Sequence, residues 1–213
     1  MDKNALFVIE ERIKRTIENL EKNNMNGYFV QTEEEALKKV QELISEGDTV
    51  SVGGSMTLFE TGVIDLLRNG KYNFLDRYEE GLNPEGIKEI FRKSFFADVY
   101  FTGTNAITEN GELYNVDGNG NRVAAMLYGP DKVIVLAGRN KIVKDIDQAI
   151  LRVKETAAPA NNVRLNRDNP CAKTGQCMDC KQEGRICNEY TVIKRQNNKN
   201  RIHVIIINKE LGY

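Results

Sequence analysis

Short apolar runs alternate with amphipathic stretches along most of this chain, and that alternation restricts the fold more than any other feature. Tyr28-Phe29-Val30, Thr49-Val50-Ser51-Val52, Tyr72-Asn73-Phe74-Leu75, Asp98–Thr102 and Lys132–Leu136 are strand-length runs. The stretches between them carry the helical period. Leu6, Ile9, Ile13, Ile17 and Leu20 mark a first helix, stopped by Asn23-Asn24 and Gly27. Thr32 and Glu35 form a capping box that opens a second helix through Ile44. Further helices are expected from about Thr57 to Leu67, from Pro84 to Phe95 and over Ile142–Glu155. Parallel strands need a crossover long enough to hold a helix, so strands alternating with helices predict an α/β fold, a parallel sheet flanked by helices. It is expected to occupy residues 1–160.

Residues 161–213 have a different character. Tyr190–Lys194 and Ile202–Ile207 flank the polar run Gln196-Asn197-Asn198-Lys199-Asn200, a β-hairpin pattern. This segment is expected to pack on the main domain, by extending its sheet or by pairing within itself. It also holds all four cysteines, Cys171, Cys177, Cys180 and Cys187. Cysteines used as small core hydrophobes would be scattered. Clustered ones point to shared chemistry, and Cys177-Met178-Asp179-Cys180 has the spacing that turns two thiolates toward one ion. Four thiolates complete the shell of zinc or of an iron–sulfur cluster. The spacing matches neither the bacterial ferredoxin run nor a two-CxxC zinc ribbon, so the metal stays undecided. Two disulfides would need an oxidising compartment, and the charged, helical N-terminal stretch does not resemble a signal peptide.

Lys and Arg number 30 against 31 Asp and Glu, which gives a net charge of −1 and excludes a general nucleic-acid role. No apolar run approaches the ~18 residues of a membrane span. A cytoplasmic location is the expectation. The single histidine, His203, lies inside an apolar strand, which argues against a Ser–His–Asp or Cys–His catalyst.

Two glycine-rich segments are the candidate site. Val50–Thr57 is a strand, a Gly53-Gly54 turn and a helix start, and in a parallel sheet such a turn lies at the carboxyl edge where ligands bind. Gly53, Gly54 and Ser55 offer close-approaching backbone N–H groups, and Ser55 and Thr57 offer hydroxyls, for an anion. Thr57 and Glu60 also have capping-box spacing, so a plain tight turn is the competing reading. The second segment runs from Thr102 to Arg122 through the hairpin signal Asn110-Gly111. Thr104, Asn105 and Arg122 are candidate anion contacts, with Arg122 as the countercharge. Asp117, Glu109 and Glu60 are candidate acid/base groups.

The segment Gly53-Gly54-Ser55-Met56-Thr57-Leu58-Phe59-Glu60, the Ala97-Asp98 strand leading to Thr102-Gly103 and Ala106-Ile107, and Gly138-Arg139-Asn140-Lys141-Ile142-Val143 together resemble the lactate-utilisation (LUD) domain family over about residues 5–155. The resemblance implies a fold like that of sugar-phosphate isomerases and CoA transferases, in which the strand–Gly–Ser–helix turn binds phosphate or the reacting acid. It implies a redox-associated protein linked to oxidation of lactate or a similar small hydroxy acid, with a small anionic substrate and a redox partner protein or homo-oligomer. The cysteine tail lies outside the core pattern of the family. Two other readings remain open: a non-redox isomerase- or transferase-like enzyme acting on a phosphorylated or CoA-linked substrate, with structural zinc, and a non-catalytic assembly subunit.

Overall fold

A computed structural model describes residues 2–213. The elements follow in the order α1 (Lys3–Lys22), β1 (Asn26–Val30), α2 (Glu33–Leu43), β2 (Thr49–Val52), α3 (Met56–Glu60), α4 (Val63–Arg68), β3 (Asn73–Leu75) and α5 (Pro84–Lys93). Then come β4 (Val99–Thr102), β5 (Ala106–Thr108), β6 (Leu113–Asp117), α6 (Asn121–Tyr128), β7 (Lys132–Gly138) and β8 (Ile142–Val143). The chain closes with α7 (Ile146–Arg152), α8 (Ala158–Arg164), α9 (Pro170–Thr174), β9 (Glu189–Ile193) and β10 (Ile202–Ile207).

Six strands form a wholly parallel sheet in the order β1-β10-β7-β4-β2-β3. Alternate residues of its strands feed opposite faces, as the two-residue period of a strand requires. Ile134, Leu136, Ile205 and Ile207 pack with α2, α3 and α4 on one side. Val133, Val135, Val204 and Ile206 pack with α1 and α6 on the other. The fold is thus the expected α/β arrangement, a parallel sheet flanked by helices. A second, four-stranded sheet, β8-β5-β6-β9, is closed by α7 and α8.

Local signals explain several boundaries. Thr32 caps α2 by accepting from the Glu35 N–H, and the Glu35 carboxylate reaches back to the Gln31 N–H. The Asn110-Gly111 turn joins antiparallel β5 and β6, with Gly111 at φ +76°. Its tip is packed so tightly on α1 that a Cβ at Gly111 would lie 2.5 Å from the Leu20 backbone nitrogen.

Four expectations are corrected. The segments expected to form a C-terminal hairpin do not pair with each other. β9 joins β6, antiparallel, while β10 sits between β1 and β7 in the main sheet. All six residues of β10 are buried, which suits a strand covered on both faces, whereas β9 has exposed residues between partly covered ones. The polar run between them is held at the α1–β1 corner, where Asn24 Nδ2 donates to the Gln196 and Asn197 carbonyls and Asn26 Nδ2 to that of Lys199.

The Thr57–Glu60 capping box is also absent. Ser55 is the N-cap, Thr57 is buried inside the helix, and the Glu60 carboxylate accepts from the Gly212 N–H at 2.7 Å. The single helix expected there breaks into α3 and α4 at Gly62, whose φ of +74° is left-handed. Ile142 and Val143 form an edge strand, and the following helix begins after Asp145, which caps it by accepting from Gln148 N. That helix runs on past Glu155 through a π turn over Val153–Ala157 into α8. The π turn ends two residues before Pro159, which has no N–H to continue a regular helical ladder.

Candidate functional site

In a parallel sheet every strand points its carboxyl end to the same edge, and here five of the six deliver side chains or turns to one cavity. β2 leads into Gly54 and Ser55, β3 into Arg77, β4 into Gly103, Thr104 and Asn105, β7 into Lys141, and β10 into Tyr213. β6 adds Asp117, and α8 with the segment after it adds Asn161, Arg164 and Arg167. The cavity measures ≈ 260 Å³. The glycine turn after β2 and the 103–122 segment therefore do face each other. Gly53 itself lies just behind the wall, where a Cβ would meet the Arg122 side chain at 2.9 Å and the Tyr100 hydroxyl at 2.9 Å. Only glycine allows that approach.

Electrostatics set the character of the cavity. Arg77, Arg122, Lys141, Arg164 and Arg167 line it, and Asp117 is the one acidic side chain among the lining residues. Asp117 is neutralised by Arg122, with Arg122 Nη2 at 2.7 Å and Nε at 2.9 Å from its Oδ1. Its other oxygen accepts from the backbone N–H groups of Arg122 and Val123, which caps α6. A carboxylate held this way is a structural anchor rather than a free acid or base.

Arg122 differs from expectation for the same reason. Its guanidinium donates to the carbonyls of Gly103 and Val116 and to the side-chain oxygens of Asn115, Asn105 and Asp117. With every donor directed at a protein acceptor, it fixes the 103–117 segment and is not a countercharge in waiting. Asn105 is a joint in this network, since its Oδ1 also accepts from Val116 N. Thr104 donates to the Ala106 and Tyr114 carbonyls.

The remaining acid/base candidates lie elsewhere. Glu109 is bound by Arg12 at 2.7 Å, on the α1 side of the β5–β6 turn and away from the cavity. Glu60 does not line the cavity and is tied to Gly212. Thr57 is buried behind the wall, where its Oγ1 accepts from Lys141 Nζ at 3.0 Å.

Sequence reasoning missed Arg77, Lys141, Arg164, Arg167 and Tyr213. Only Lys141 carried a local signal. It ends a polar Arg139-Asn140-Lys141 turn directly after a strand that is apolar from Val133 onward, at the edge where ligands bind. Burial, helped by the positive charges of Arg152 and Arg122, pulls the Lys141 amine down to about 7, against a smaller opposing pull from Glu60. Among the described residues, the Nε of Arg77 and the hydroxyl of Tyr213 are both buried and have no hydrogen-bond partner within bonding geometry. Burial also raises the Tyr213 phenol, and the neighbouring Arg164 guanidinium opposes the rise.

The four cysteines surround a second, smaller pocket, beside α8 and the π turn. All are free thiols. Burial pushes Cys187 up to about 11, and the Arg185 guanidinium partly opposes this. Burial, with Cys177 and Cys180 nearby, raises Cys171 as well. Among the described residues, no three His, Cys, Asp or Glu side chains are arranged as a ready-made metal site. Arg185 ties the loop together through the carbonyls of Cys180 and Cys187. Ile186 lines both pockets, and its Cα lies 3.3 Å from the point a Cβ on Gly118 would occupy. The cysteine segment is therefore a wall of the cationic cavity.

The structure is similar to that of a DUF162 family protein from Deinococcus radiodurans, with a TM-score of 0.51 and 16% identity, covering 95% of this chain and 98% of that one. It is similar over 82% of its length to 55% of a chain in the tetrameric eIF2B-beta2-delta2 complex from C. thermophilum, at a TM-score of 0.44 and 21% identity. Comparison with curated proteins gives no match. Among the described residues no helix is long and apolar enough to cross a membrane. The LUD domain family model matches residues 13–207, nearly the whole chain, and the protein belongs to that family.

Proposed function

We propose that this protein binds a small carboxylate or phosphate anion at the carboxyl edge of its main sheet, in the service of oxidation or utilisation of lactate or a similar small hydroxy acid. One observation carries the reading. Arg77, Lys141, Arg164 and Arg167 converge on one concavity whose only acidic side chain is already neutralised. Such a cluster, backed by low-dielectric protein, concentrates anions. Planar guanidinium groups suit the paired oxygens of a carboxylate or phosphate. The role of Gly54 and Ser55 is to bring backbone close to the ligand, and that of Arg122 and Asp117 is to hold the facing wall. The family resemblance supplies the hydroxy-acid class.

Calorimetric titration with lactate and, separately, with inorganic phosphate tests this. A charge-assisted hydrogen bond contributes about 1.5–3 kcal/mol, so Arg77→Gln should weaken binding by roughly 10- to 150-fold. Unchanged affinity in Arg77→Gln, or no binding of either anion to the wild type, would remove the site. Tighter phosphate than lactate binding would favour the isomerase- or transferase-like reading.

The cysteine segment, in this reading, holds an iron–sulfur cluster or zinc through Cys171, Cys177, Cys180 and Cys187. The support is that all four line one pocket and that a bound metal would deprotonate and gather these four thiol donors, since among the described residues no three of them are already arranged as ligands. Anaerobic reconstitution should give one metal centre per chain, brown if iron–sulfur and colourless if zinc. Cys177→Ser and Cys180→Ser should each lose it. Full metal occupancy in both variants would sink the assignment.

A further inference from the structure

We propose that Lys141 is an amine nucleophile that captures the carbonyl carbon of a small 2-oxo acid in the cationic cavity, forming an imine. The inference rests on the reading that this cavity takes a small carboxylate, and it names a covalent step at that site.

The first ground is placement. Lys141 closes the turn after β7, and its stem is packed so that the residue is 2% exposed, yet it lines the cavity. Its Nζ lies in the cavity wall against Thr57, 3.4 Å from the point a Cβ on Gly212 would occupy.

The second ground is hydrogen bonding. Among the described residues Nζ has one hydrogen-bond partner, the Thr57 hydroxyl at 3.0 Å. That hydroxyl directs its own proton to the Leu211 carbonyl at 3.4 Å, so it accepts from the amine. The nitrogen lone pair is thereby left free, where a hydroxyl proton would otherwise occupy it. Among the described residues no carboxylate forms an ion pair with Lys141, although fourteen ion pairs exist elsewhere in the protein.

Surrounding charge supports both. Arg122 and Arg152 face the amine with positive charge, and Glu60 is the one acidic group that counters them. Arg152 is itself fixed by donating to the carbonyls of Asn140 and Asn105. A desolvated lysine beside cationic neighbours is the arrangement that activates an amine near neutral pH. An ordinary lysine is neutral in only roughly one molecule in a few thousand at pH 7. The Lys141 amine, drawn down to about 7, is neutral in a large share of molecules.

The remaining parts of the reaction are also present. Arg77 and Arg164 would hold the carboxylate of the oxo acid, which leaves its C2 carbonyl within the cavity. The Nζ lone pair attacks C2, a C–N bond forms, and the carbonyl π pair moves to oxygen, which takes a proton. Loss of water from this carbinolamine, with the nitrogen giving up its remaining protons as needed, leaves the C=N bond. No oxidant or reductant is consumed. In this step the hydroxyl of Tyr213, a residue of the same cavity lining, passes the proton.

The test is to incubate the full chain with pyruvate and sodium cyanoborohydride, followed by intact mass and peptide mapping. Reductive trapping should add the mass of pyruvic acid less one oxygen atom. The label should fall on Lys141 at more than tenfold the level of any surface lysine, and its yield should rise as pH increases through about 7. Excess lactate, which has a carboxylate but no carbonyl, should suppress the labelling of the wild type. Lys141→Arg keeps the charge and should lose the label. Calorimetric titration of pyruvate without reductant separates the two readings. Saturable binding with no adduct on Lys141 overturns the imine and leaves the anion site standing. Labelling spread evenly over surface lysines overturns it too. Absence of both binding and adduct overturns the imine together with the anion site.

Discussion

Removal of residues 202–213 should abolish cooperative folding altogether. In sequence this segment reads as an addition packed on the main domain, but β10 pairs with five residues of β1 and six of β7 and separates those two strands. Ile202, Val204, Ile205, Ile206 and Ile207 are all fully buried, and Leu211 nearly so. Burying one such aliphatic side chain contributes about 1.5–3 kcal/mol. Six of them amount to on the order of 10 kcal/mol, which matches the entire stability of a typical domain. The deletion would also leave a strand-wide gap flanked by unpaired backbone groups in the interior of the sheet. Urea unfolding followed by far-UV circular dichroism is the measurement. A truncated chain that still unfolds in one sharp transition, with the wild-type dependence on urea, would show that the strand is dispensable.

Asp117→Asn should be the most damaging single change in the cavity wall, costing about 3–5 kcal/mol. The side chains of Arg122 and Asp117 are 10% and 8% exposed, so removing the carboxylate charge strands a guanidinium in a low-dielectric site. The cap on α6 is weakened at the same time, because both backbone donors lose an anionic acceptor. For a chain of this size the expected fall in Tm is roughly 6–20 °C. Arg122→Met on the same background should recover part of the loss, since the stranded charge is gone. A double variant as destabilised as the sum of the two single ones would mean that the pair is not coupled, contrary to its geometry.

Signals that lie within one element were legible in the sequence. The alternation of strands and helices gave the parallel sheet, Thr32 and Glu35 gave a helix start, and Asn110-Gly111 gave a turn. The facing of the glycine turn and the 103–122 segment followed from the rule that parallel strands share a carboxyl edge. Pairing choices were harder, because they are made between elements. Nothing within Ile202–Ile207 names β1 and β7 as partners. Its apolarity on both faces was the available clue to a central position, and the polar run before it suggested a hairpin instead. Arg122 was read as a free cation because its acceptors, from Gly103 to Asp117, meet only in three dimensions. The cationic lining was invisible for a related reason. Arg77, Lys141 and Arg164 come from different connections and share nothing in sequence but their charge.

The position of β10 has a consequence for biosynthesis. Its neighbours β1 and β7 are translated first, and the strand that belongs between them leaves the ribosome after every other strand of the sheet. Until then the β1 and β7 edges facing that gap have no partner. Unpaired parallel edges of this kind invite pairing with other chains. A nascent chain therefore completes its main sheet only once β10, the last of these strands to be made, has emerged. During that interval the α1–β1 unit has to wait beside the growing sheet without the strand that will join them.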